Sequence, residues 1–305
     1  MTYQDNSNKQ KLLIFGTGGM LGQRTAKYFA ELTGWEILGA DIATTIEFPG
    51  VRYITADFTD RDTVLKIVTE FRPDVIINAS AYTNVDRSES ERELCWKINV
   101  KGVEYIAEAA QIVDAHVIHV STDYVFDGAH GPYAESEPTN PINYYGRSKL
   151  AAENALLLSN INYTIIRTNV LYGIIPNGRL DFVRWVVESN RKGEVIKIVT
   201  DQYNNPTFID DIVVAMNAII KQKKYGVYNI AGREVLSRYE FTLRIADVFN
   251  LDRSLITTIT TPELHQPAPR PLRGGLKIEK AQTELGYSPI DLDASLHLMK
   301  KELQL

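Results

Sequence analysis

A tyrosine and a lysine four residues apart form the clearest chemical pair in the sequence. Tyr145 and Lys149 lie in a segment rich in good helix formers, and residues four apart share one face of a helix. A free phenol ionises near pH ~10, and a neighbouring ammonium group lowers that pKa. Of the sixteen tyrosines, only Tyr145 has a lysine four residues later. The pair therefore predicts general acid catalysis, and a surface contact between two helix residues is the alternative interpretation.

A hydroxyl group follows the predicted strand that precedes this helix. Residues 116–120 form an apolar run of the kind a buried strand carries, and Thr122 comes just after it. Ligands of open α/β sheets bind beyond the carboxyl ends of the strands. We therefore expect Thr122 to donate a hydrogen bond to a substrate carbonyl. His116 and His119 are three apart on the strand and hence on opposite faces, which argues against a shared metal, and we predict no metal site.

A glycine cluster near the start of the chain predicts dinucleotide binding. Gly16, Gly19 and Gly22 follow an apolar strand and open a helical pattern, in a seven-residue variant of the dinucleotide fingerprint. Such a turn needs glycine where the chain bends tightly and where the backbone approaches a pyrophosphate, whose charge is held by the helix N-terminus. An ordinary structural turn is the alternative interpretation of the glycines alone.

Asp41 ends the next apolar strand, 19 residues after the last glycine of the cluster. An acidic side chain at this point accepts hydrogen bonds from ribose hydroxyls and repels a 2′-phosphate. Asp41 therefore favours NADH slightly over NADPH, with NADPH still open. The competing interpretation is a loop residue that caps the segment after it.

Short apolar runs alternate with helical segments through the first 165 residues. Examples are the predicted helix at 61–71, which Pro73 closes, and the apolar run at 75–77. This alternation specifies parallel strands joined by helices, and so an α/β fold with a doubly wound parallel (Rossmann) sheet. Beyond residue 167 the rhythm changes, with a capping box at Ser237 and Glu240. Four prolines within residues 262–271 predict an irregular, exposed loop.

Composition limits the class of protein. The chain has 305 residues, more than the roughly 250 to 300 at which a single core stops growing, so we expect two lobes. It is 44% hydrophobic and 23% charged with net charge −5 and no block of Lys or Arg, which gives no support for nucleic-acid binding.

Cys95 is the one cysteine, so an intrachain disulfide is excluded and a core role is expected. A polar start and the lack of long apolar runs predict a cytoplasmic protein that binds no membrane.

These pieces together resemble the dTDP-4-dehydrorhamnose reductase family of extended short-chain dehydrogenases/reductases. They occur in the family's order and span nearly the whole chain. The matching segments are residues 16–22 (GTGGMLG), 75–86 (VIINASAYTNVD), 121–128 (STDYVFDG), 145–149 (YGRSK), 167–168 (RT), 201–202 (DQ), 206–207 (PT) and 270–271 (RP).

The resemblance implies an NAD(P)-dependent oxidoreductase that reduces the C4 ketone of a nucleotide-linked 4-keto-6-deoxy sugar in dTDP-rhamnose biosynthesis. Tyr145 would protonate the developing C4 alkoxide, Lys149 would hold the nicotinamide ribose and depress the Tyr145 pKa, and Thr122 would bind the carbonyl oxygen. The implied substrate-binding residues are Thr122, Asp123, Asn169, Val170 and Arg270. The implied cofactor-binding residues are Gly16, Gly19, Met20, Leu21, Gly22, Asp41, Asp57, Phe58, Ala79, Ser80, Ala81, Tyr82, Asn99, Tyr145 and Lys149.

The resemblance also implies a discontinuous second lobe. Residues 1–167 plus about 200–225 would form the NAD(P)-binding Rossmann domain, and about 168–199 plus 226–305 the smaller substrate-binding lobe. Some members dimerise, so a homodimer is among the expected states. Departures lie on the substrate side: Val170 stands where rhamnose-forming members commonly have tryptophan, and Leu276-Lys277 replaces their Leu-Asp. The identity of the sugar and its nucleotide therefore stays open.

Two rival functions use the same scaffold. One is a sugar-nucleotide epimerase or dehydratase. In dehydratases the threonine is followed by Asp-Glu, whereas in this chain Thr122 is followed by Asp123 and Tyr124. The other is a regulatory subunit that binds NADP without turnover, as the β subunit of methionine adenosyltransferase does. Intact Thr122, Tyr145 and Lys149 count against it. Arg184, Arg270 and Arg273 are candidates for holding a diphosphate.

Overall fold

A computed structural model describes residues 9–43, 46–175 and 180–302. Its strands are β1 (Gln10–Phe15), β2 (Trp35–Asp41), β3 (Val51–Thr55), β4 (Val75–Asn78), β5 (His116–Thr122), β6 (Tyr163–Thr168), β7 (Leu171–Tyr172), β8 (Ile196–Val199), β9 (Tyr203–Asn204), β10 (Thr207–Phe208), β11 (Gly226–Asn229), β12 (Leu236–Ser237) and β13 (Ile256–Ile259). Its α-helices are α1 (Met20–Glu31), α2 (Arg61–Phe71), α3 (Arg92–Trp96), α4 (Gly102–Val113), α5 (Tyr144–Leu158), α6 (Phe182–Arg191), α7 (Ile209–Gln222), α8 (Arg238–Phe249), α9 (Thr261–Leu264), α10 (Glu279–Leu285) and α11 (Leu292–Glu302). A π-helical turn, Lys97–Lys101, joins α3 to α4.

A seven-stranded sheet forms the centre of the molecule. Its strands run in the order β11-β6-β5-β4-β1-β2-β3, and every pair is parallel. The predicted doubly wound α/β fold is confirmed. The chain leaves β1 toward β2 on one side, and β4 later returns to the other side of β1. At such a switch point the connecting loops separate and leave a crevice at the carboxyl ends of the strands.

Alternate side chains of each central strand pack against opposite layers of helices. Leu12 and Ile14 share one apolar cluster with buried residues of α1, α7 and α10. Leu13 and Phe15 share the other with buried residues of α2, α4 and α5. This arrangement explains why the strands read as continuous apolar runs, since both faces are covered.

A third apolar cluster lies apart from the central sheet. It joins buried residues of α6, β8, α8, β13 and α11, including Val186, Phe241 and Leu296. Here β8 and β13 pair with each other in a two-stranded parallel sheet. These elements form the structural basis of the smaller lobe.

The chain crosses between the two regions at places other than those predicted. The boundary drawn after residue 225 is displaced, because Gly226–Asn229 is the edge strand of the central sheet and pairs with β6. Residues Leu276, Ala281 and Leu285 also pack in the cluster that contains α1 and α7. The described part of the smaller lobe thus centres on residues 170–208, 236–260 and 290–302.

Several local predictions match the structure. Helix α2 has the predicted bounds, and α8 begins with the predicted capping box, in which Glu240 N donates to Ser237 Oγ at 3.1 Å. Most of the segment 262–271 is exposed and lies outside helices and strands, as expected, but the end of α9 covers its first three residues and Ala268 is buried. Among the described helices, none combines the length and apolar character needed to cross a membrane.

Candidate active site

A cavity of about 990 Å³ opens at the carboxyl ends of the central strands. Its wall runs from the glycine turn to the N-terminus of α8, so it spans both regions of the molecule. Predicted site residues on this wall are Gly16, Gly19, Met20, Leu21, Asp41, Asp57, Phe58, Ala79, Ser80, Ala81, Thr122, Tyr145, Lys149, Asn169 and Val170. Wall residues that the sequence analysis missed include Thr59, Thr83, Leu94, Lys97, Ile98, Phe182 and Arg238.

The glycine turn is shaped by two positions that tolerate no side chain. Gly16 has φ +92°, and a Cβ there would lie 2.7 Å from Ser80 N. A Cβ on Gly22 would lie 1.9 Å from the carbonyl oxygen of Gly16, so Gly22 serves the packing of α1 against the turn rather than the cavity wall. Gly19 caps α1 with no side-chain hydrogen bond to its first turn, which leaves backbone N–H groups at the cavity. This cradle fits a pyrophosphate.

The carboxylate of Asp41 lies beside the glycine turn. Its Oδ2 accepts a hydrogen bond from Gly18 N at 2.9 Å, and its Oδ1 accepts one from Ala43 N at 3.4 Å. Asp41 thus lines the cavity and also orders the loop after it, which is what the capping interpretation predicts. Asp57 has a comparable local role, accepting from Thr59 N at 2.9 Å.

Tyr82 and Asn99 stand behind the cavity wall. Asn99 Oδ1 accepts from Tyr82 N at 2.8 Å, and its Nδ2 donates to Ser148 Oγ at 2.9 Å. Asn99 therefore ties the loop after β4 to helix α5. The Tyr82 hydroxyl donates to Glu91 at 2.5 Å, and burial raises the pKa of Tyr82 to about 12.

Thr122, Tyr145 and Lys149 converge on the cavity, as the sequence analysis predicts. Thr122 ends β5, and α5 begins at Tyr144 after Asn143, whose side chain accepts from Gly146 N at 2.8 Å. Thr122 hydrogen-bonds the Tyr145 phenol, and the ring of Tyr124 packs edge-on to that of Tyr145 with centroids 5.8 Å apart. The hydroxyl and the phenol therefore face one reacting position.

The expected depression of the Tyr145 pKa by Lys149 is not what the structure has. Burial raises the pKa of Tyr145 well above its ordinary value, and the Thr122 hydrogen bond only offsets part of that rise. The Lys149 amine instead donates to the carbonyl oxygen of Val120 at 2.7 Å and lies 3.1 Å from His119 Nε2. Lys149 is itself buried, which lowers its pKa to about 8.

Asp123 is a buried carboxylate next to this group but behind the wall. Its oxygens accept hydrogen bonds from Thr122 Oγ1 at 3.1 Å and from Asn169 Nδ2 at 3.2 Å. Burial raises the pKa of Asp123 to about 6 despite these bonds. The Asp123 carboxylate is therefore positioned to hold the side chains of Thr122 and Asn169, which both line the cavity.

The far end of the cavity is formed by the smaller lobe. Val170 lies there with φ +40°, an unusual backbone conformation for a β-branched residue. The guanidinium of Arg238 lies over the ring of Phe182, 4.9 Å from its centroid. Arg238 follows directly after the predicted capping residue Ser237, and that helix start was the one signal from which it could have been found.

None of the three predicted arginines is among the residues of the cavity wall. Arg270 pairs with Asp86 at 2.9 Å and is not on the wall, while Arg184 lies 3.8 Å from Glu188 on its own helix and Arg273 is exposed. Across residues 9–43, 46–175 and 180–302, no three His, Cys, Asp or Glu side chains lie together as a metal site would need.

Comparisons with known proteins agree with one another. A family model described as the RmlD substrate binding domain matches residues 10–305. The dTDP-4-dehydrorhamnose reductase of Aggregatibacter actinomycetemcomitans is 34% identical over 298 residues, covering 94% of this chain and 97% of that protein. Methionine adenosyltransferase 2 subunit beta of Xenopus tropicalis is 31% identical over 282 residues, covering 90% of this chain and 82% of that protein. The crystal structure of dTDP-4-dehydrorhamnose reductase from Bacillus anthracis in complex with NADP has a TM-score of 0.84 at 29% identity, covering 96% and 99% of the two chains.

Proposed function

The chain belongs to the RmlD substrate-binding-domain family, and on that premise we propose that it reduces the C4 ketone of a nucleotide-linked 4-keto-6-deoxy sugar with NADH or NADPH. The observation that carries the proposal is one cavity whose wall holds Thr122, Tyr145 and Lys149 together with the glycine turn. A proton donor and a dinucleotide cradle on one wall are what a carbonyl reductase requires.

The chain's own groups provide the proton and the orientation. A bound nicotinamide supplies the hydride for the ketone carbon. Tyr145 donates its phenolic proton to the oxygen of that ketone, and Thr122 donates a hydrogen bond to the same oxygen. The raised pKa of Tyr145 keeps the phenol protonated near neutrality, so it starts each turnover as an acid. Lys149 would hold the nicotinamide ribose.

The cofactor would lie along the glycine turn. Met20 and Leu21 would present backbone N–H groups to the pyrophosphate, whereas the Gly19 N–H donates to the Gly16 carbonyl oxygen at 3.1 Å, and Asp41 would accept from the adenosine ribose. We expect the Asp41 carboxylate to favour NADH modestly, because it would repel a 2′-phosphate. The ratio of kcat/KM for NADH to that for NADPH tests this preference, and a ratio below one contradicts it.

The sugar nucleotide would occupy the far end of the cavity. Asn169, Val170 and Arg238 line that end, and the positive charge of the Arg238 guanidinium suits a diphosphate. In this proposal the central-sheet region binds the dinucleotide and the smaller lobe binds the substrate. We also propose a homodimer, since Ile112 and Leu158 are large apolar side chains that lie exposed at the ends of α4 and α5. Light scattering on the purified protein tests that part.

The test of the activity is stoichiometric. The protein is incubated with NADH or NADPH and a panel of dTDP-, UDP- and GDP-linked 4-keto-6-deoxy sugars, and nicotinamide oxidation is compared with alcohol formed. One mole of NAD(P)H oxidised per mole of product is expected. Product without net oxidation would point to an epimerase or dehydratase, which recycles its nicotinamide. Dinucleotide binding with no turnover across the panel would point to a regulatory subunit.

A further inference from the structure

One threonine hydroxyl group in the cavity wall has no use within the fold. Thr168 is the last residue of β6, lines the cavity and is only 4% exposed. Among the described residues, Thr168 Oγ1 has no hydrogen-bond partner. A buried hydroxyl group without a partner destabilises a fold, whereas valine fills the same space without that cost. The packing of β6 therefore does not account for the hydroxyl group.

Nearby polar groups with similar burial are satisfied within the fold. Thr164, on the same face of β6, donates to the carbonyl oxygen of Lys224 at 2.6 Å. Asp181 is a wall residue with one unpartnered oxygen, but its other oxygen accepts from Arg184 N at 3.0 Å and so caps α6. Among the described wall residues, Thr168 is thus the one whose sole polar side-chain atom is both buried and unpartnered.

Thr168 lies beside Thr122 at the carboxyl end of the central sheet. The two residues are partners in the parallel register of β5 and β6, so about one strand spacing, roughly 4.8 Å, separates them. Paired residues of neighbouring strands project from the same face of a sheet, and both belong to the cavity wall. Thr168 is therefore one strand away from the hydroxyl group that faces the reacting oxygen in the proposed function.

The order of the strands puts Thr168 on the substrate side of Thr122. The glycine turn follows β1, and the sheet continues from β1 through β4 and β5 to β6. Strand β6 is thus farther from the glycine turn than β5 is, and the chain passes from Thr168 directly into the smaller lobe. Because the dinucleotide would extend from the glycine turn, the sugar nucleotide is the ligand that reaches β6.

We propose that Thr168 is a specificity-determining residue that forms a hydrogen bond with the hydroxyl group on the sugar carbon next to the ketone. This role rests on the proposed function, which places the ketone oxygen at Thr122 and Tyr145. In a 4-keto-6-deoxyhexose the neighbouring carbon C3 carries a hydroxyl group, whereas C5 carries the methyl group and the ring oxygen. A threonine hydroxyl group both donates and accepts, so it suits a hydroxyl partner in either direction.

The next residue along the chain is not available for this contact. Asn169 Nδ2 donates to Asp123 Oδ2 at 3.2 Å, and Asn169 Oδ1 accepts from Thr207 Oγ1 at 3.3 Å. Asn169 would break contacts within the fold to bind the sugar with either amide atom. Thr168 breaks none, because its hydroxyl group has no partner to lose.

Two sugars that differ in one hydroxyl group test this role. A 4-keto-6-deoxyhexose and a 4-keto-3,6-dideoxyhexose, linked to the same nucleoside diphosphate, are titrated into the full chain by calorimetry. Saturating NAD⁺ is present, because the oxidised dinucleotide fills the cofactor site and cannot reduce the ketone. Wild type should bind the 3-hydroxy sugar about fivefold more tightly than the 3-deoxy sugar, which corresponds to one net hydrogen bond.

Removal of the Thr168 hydroxyl group should abolish the preference. Thr168→Val should bind the two sugars equally within a factor of about two, since the valine side chain forms no hydrogen bond. Thr168→Ser keeps the hydroxyl group and should keep the preference. A preference retained in Thr168→Val, or equal binding of the two sugars by wild type, would overturn the assignment.

A second threonine of the same strand is the matched control. Thr164→Val removes a hydroxyl group that is satisfied within the fold, so it should lower the midpoint of thermal unfolding and leave the sugar preference unchanged. Thr168→Val should not lower that midpoint. A loss of stability as large as that of Thr164→Val would show that the Thr168 hydroxyl group serves the fold and would refute the assignment.

The binding measurement needs no turnover, so two failures can be told apart. A wild-type protein that prefers the 3-hydroxy sugar but reduces neither sugar with NADH or NADPH would contradict the proposed function and leave the role of Thr168 standing. Reduction of both sugars without a preference in binding would contradict the role of Thr168 alone. Weaker binding of NAD⁺ by Thr168→Val, with the sugar preference intact, would place the hydroxyl group at the cofactor and overturn the role.

Discussion

Tyr145 combines a hydroxyl partner with a partly buried position, and the two have opposite effects on its pKa. Thr122 stabilises the phenolate, whereas burial favours the protonated phenol and dominates. A residue in this state donates a proton readily only when negative charge develops on a bound oxygen next to it. In the proposed function, proton donation by Tyr145 is therefore tied to reduction of the substrate.

Removal of the phenolic hydroxyl tests this role. Tyr145→Phe should lower kcat by at least about 100-fold, the usual size of a general acid contribution. Dinucleotide affinity, measured by titration of protein fluorescence, should stay within a factor of about two because the ring is kept. Retained activity would contradict the assigned acid, and lost dinucleotide binding would show that the substitution disturbed the cradle instead.

Asp123 gives a prediction about pH and stability. Its pKa rises from 3.8 when unfolded to about 6 when folded, so the folded protein binds the proton more tightly. That preference stabilises the fold below the unfolded pKa, and the benefit is lost as pH rises through about 6. Asp123→Asn lacks this loss, so its stability relative to wild type should increase by about 2.4 kcal/mol between about pH 4 and pH 7.5.

Urea unfolding of both proteins at the two pH values measures the difference. Asp181 and Asp211 also have raised pKa values from burial, but they are present in both proteins and cancel. A difference that stays constant with pH would show that Asp123 is ionised in the fold without penalty.

At the scale of elements, two glycines of the turn between β1 and α1 have different roles. Gly22→Ala places a methyl group 1.9 Å from the Gly16 carbonyl oxygen and should destabilise the protein by about 3 kcal/mol. Gly19→Ala meets only that oxygen at 3.4 Å, so the fold should be kept while the dinucleotide is excluded by the added methyl group. Thermal unfolding with and without NADH distinguishes them. Equal stability in both variants would contradict the packing role of Gly22.

The elements also show which structural features could be predicted from the sequence. Helix α2 and the capping box of α8 depend on neighbouring residues, so local patterns located both. Strand β11 is four residues, two of them partly exposed, and its place at the sheet edge depends on pairing with β6. Arg238 reaches the cavity only because α8 packs in the smaller lobe. The raised pKa of Tyr145 depends on burial, which no spacing of Tyr and Lys reveals.

At the scale of the whole molecule, the cavity has two chemically separate ends. Arg238→Gln should raise the KM for the sugar nucleotide at least about tenfold through loss of a charge-assisted bond, and the thermal stabilisation by NADH should be unaffected. Asp41→Ala should reduce the thermal stabilisation by NADH and leave the KM for the sugar nucleotide unchanged. Steady-state kinetics and thermal shift on both variants test the division, and a common effect on both ligands would refute it.

The path of the chain has a consequence for how such proteins change. The central sheet takes its edge strand from residues 226–229, and residues 276–285 return to pack beside α7 after a long passage through the smaller lobe. No single crossover between two genes of this family could therefore exchange one lobe intact, because every cut divides at least one of the two lobes between the two parts. New sugar specificity should arise through point substitutions at positions such as Val170 and Arg238, and chimeras joined at one site should fail to fold.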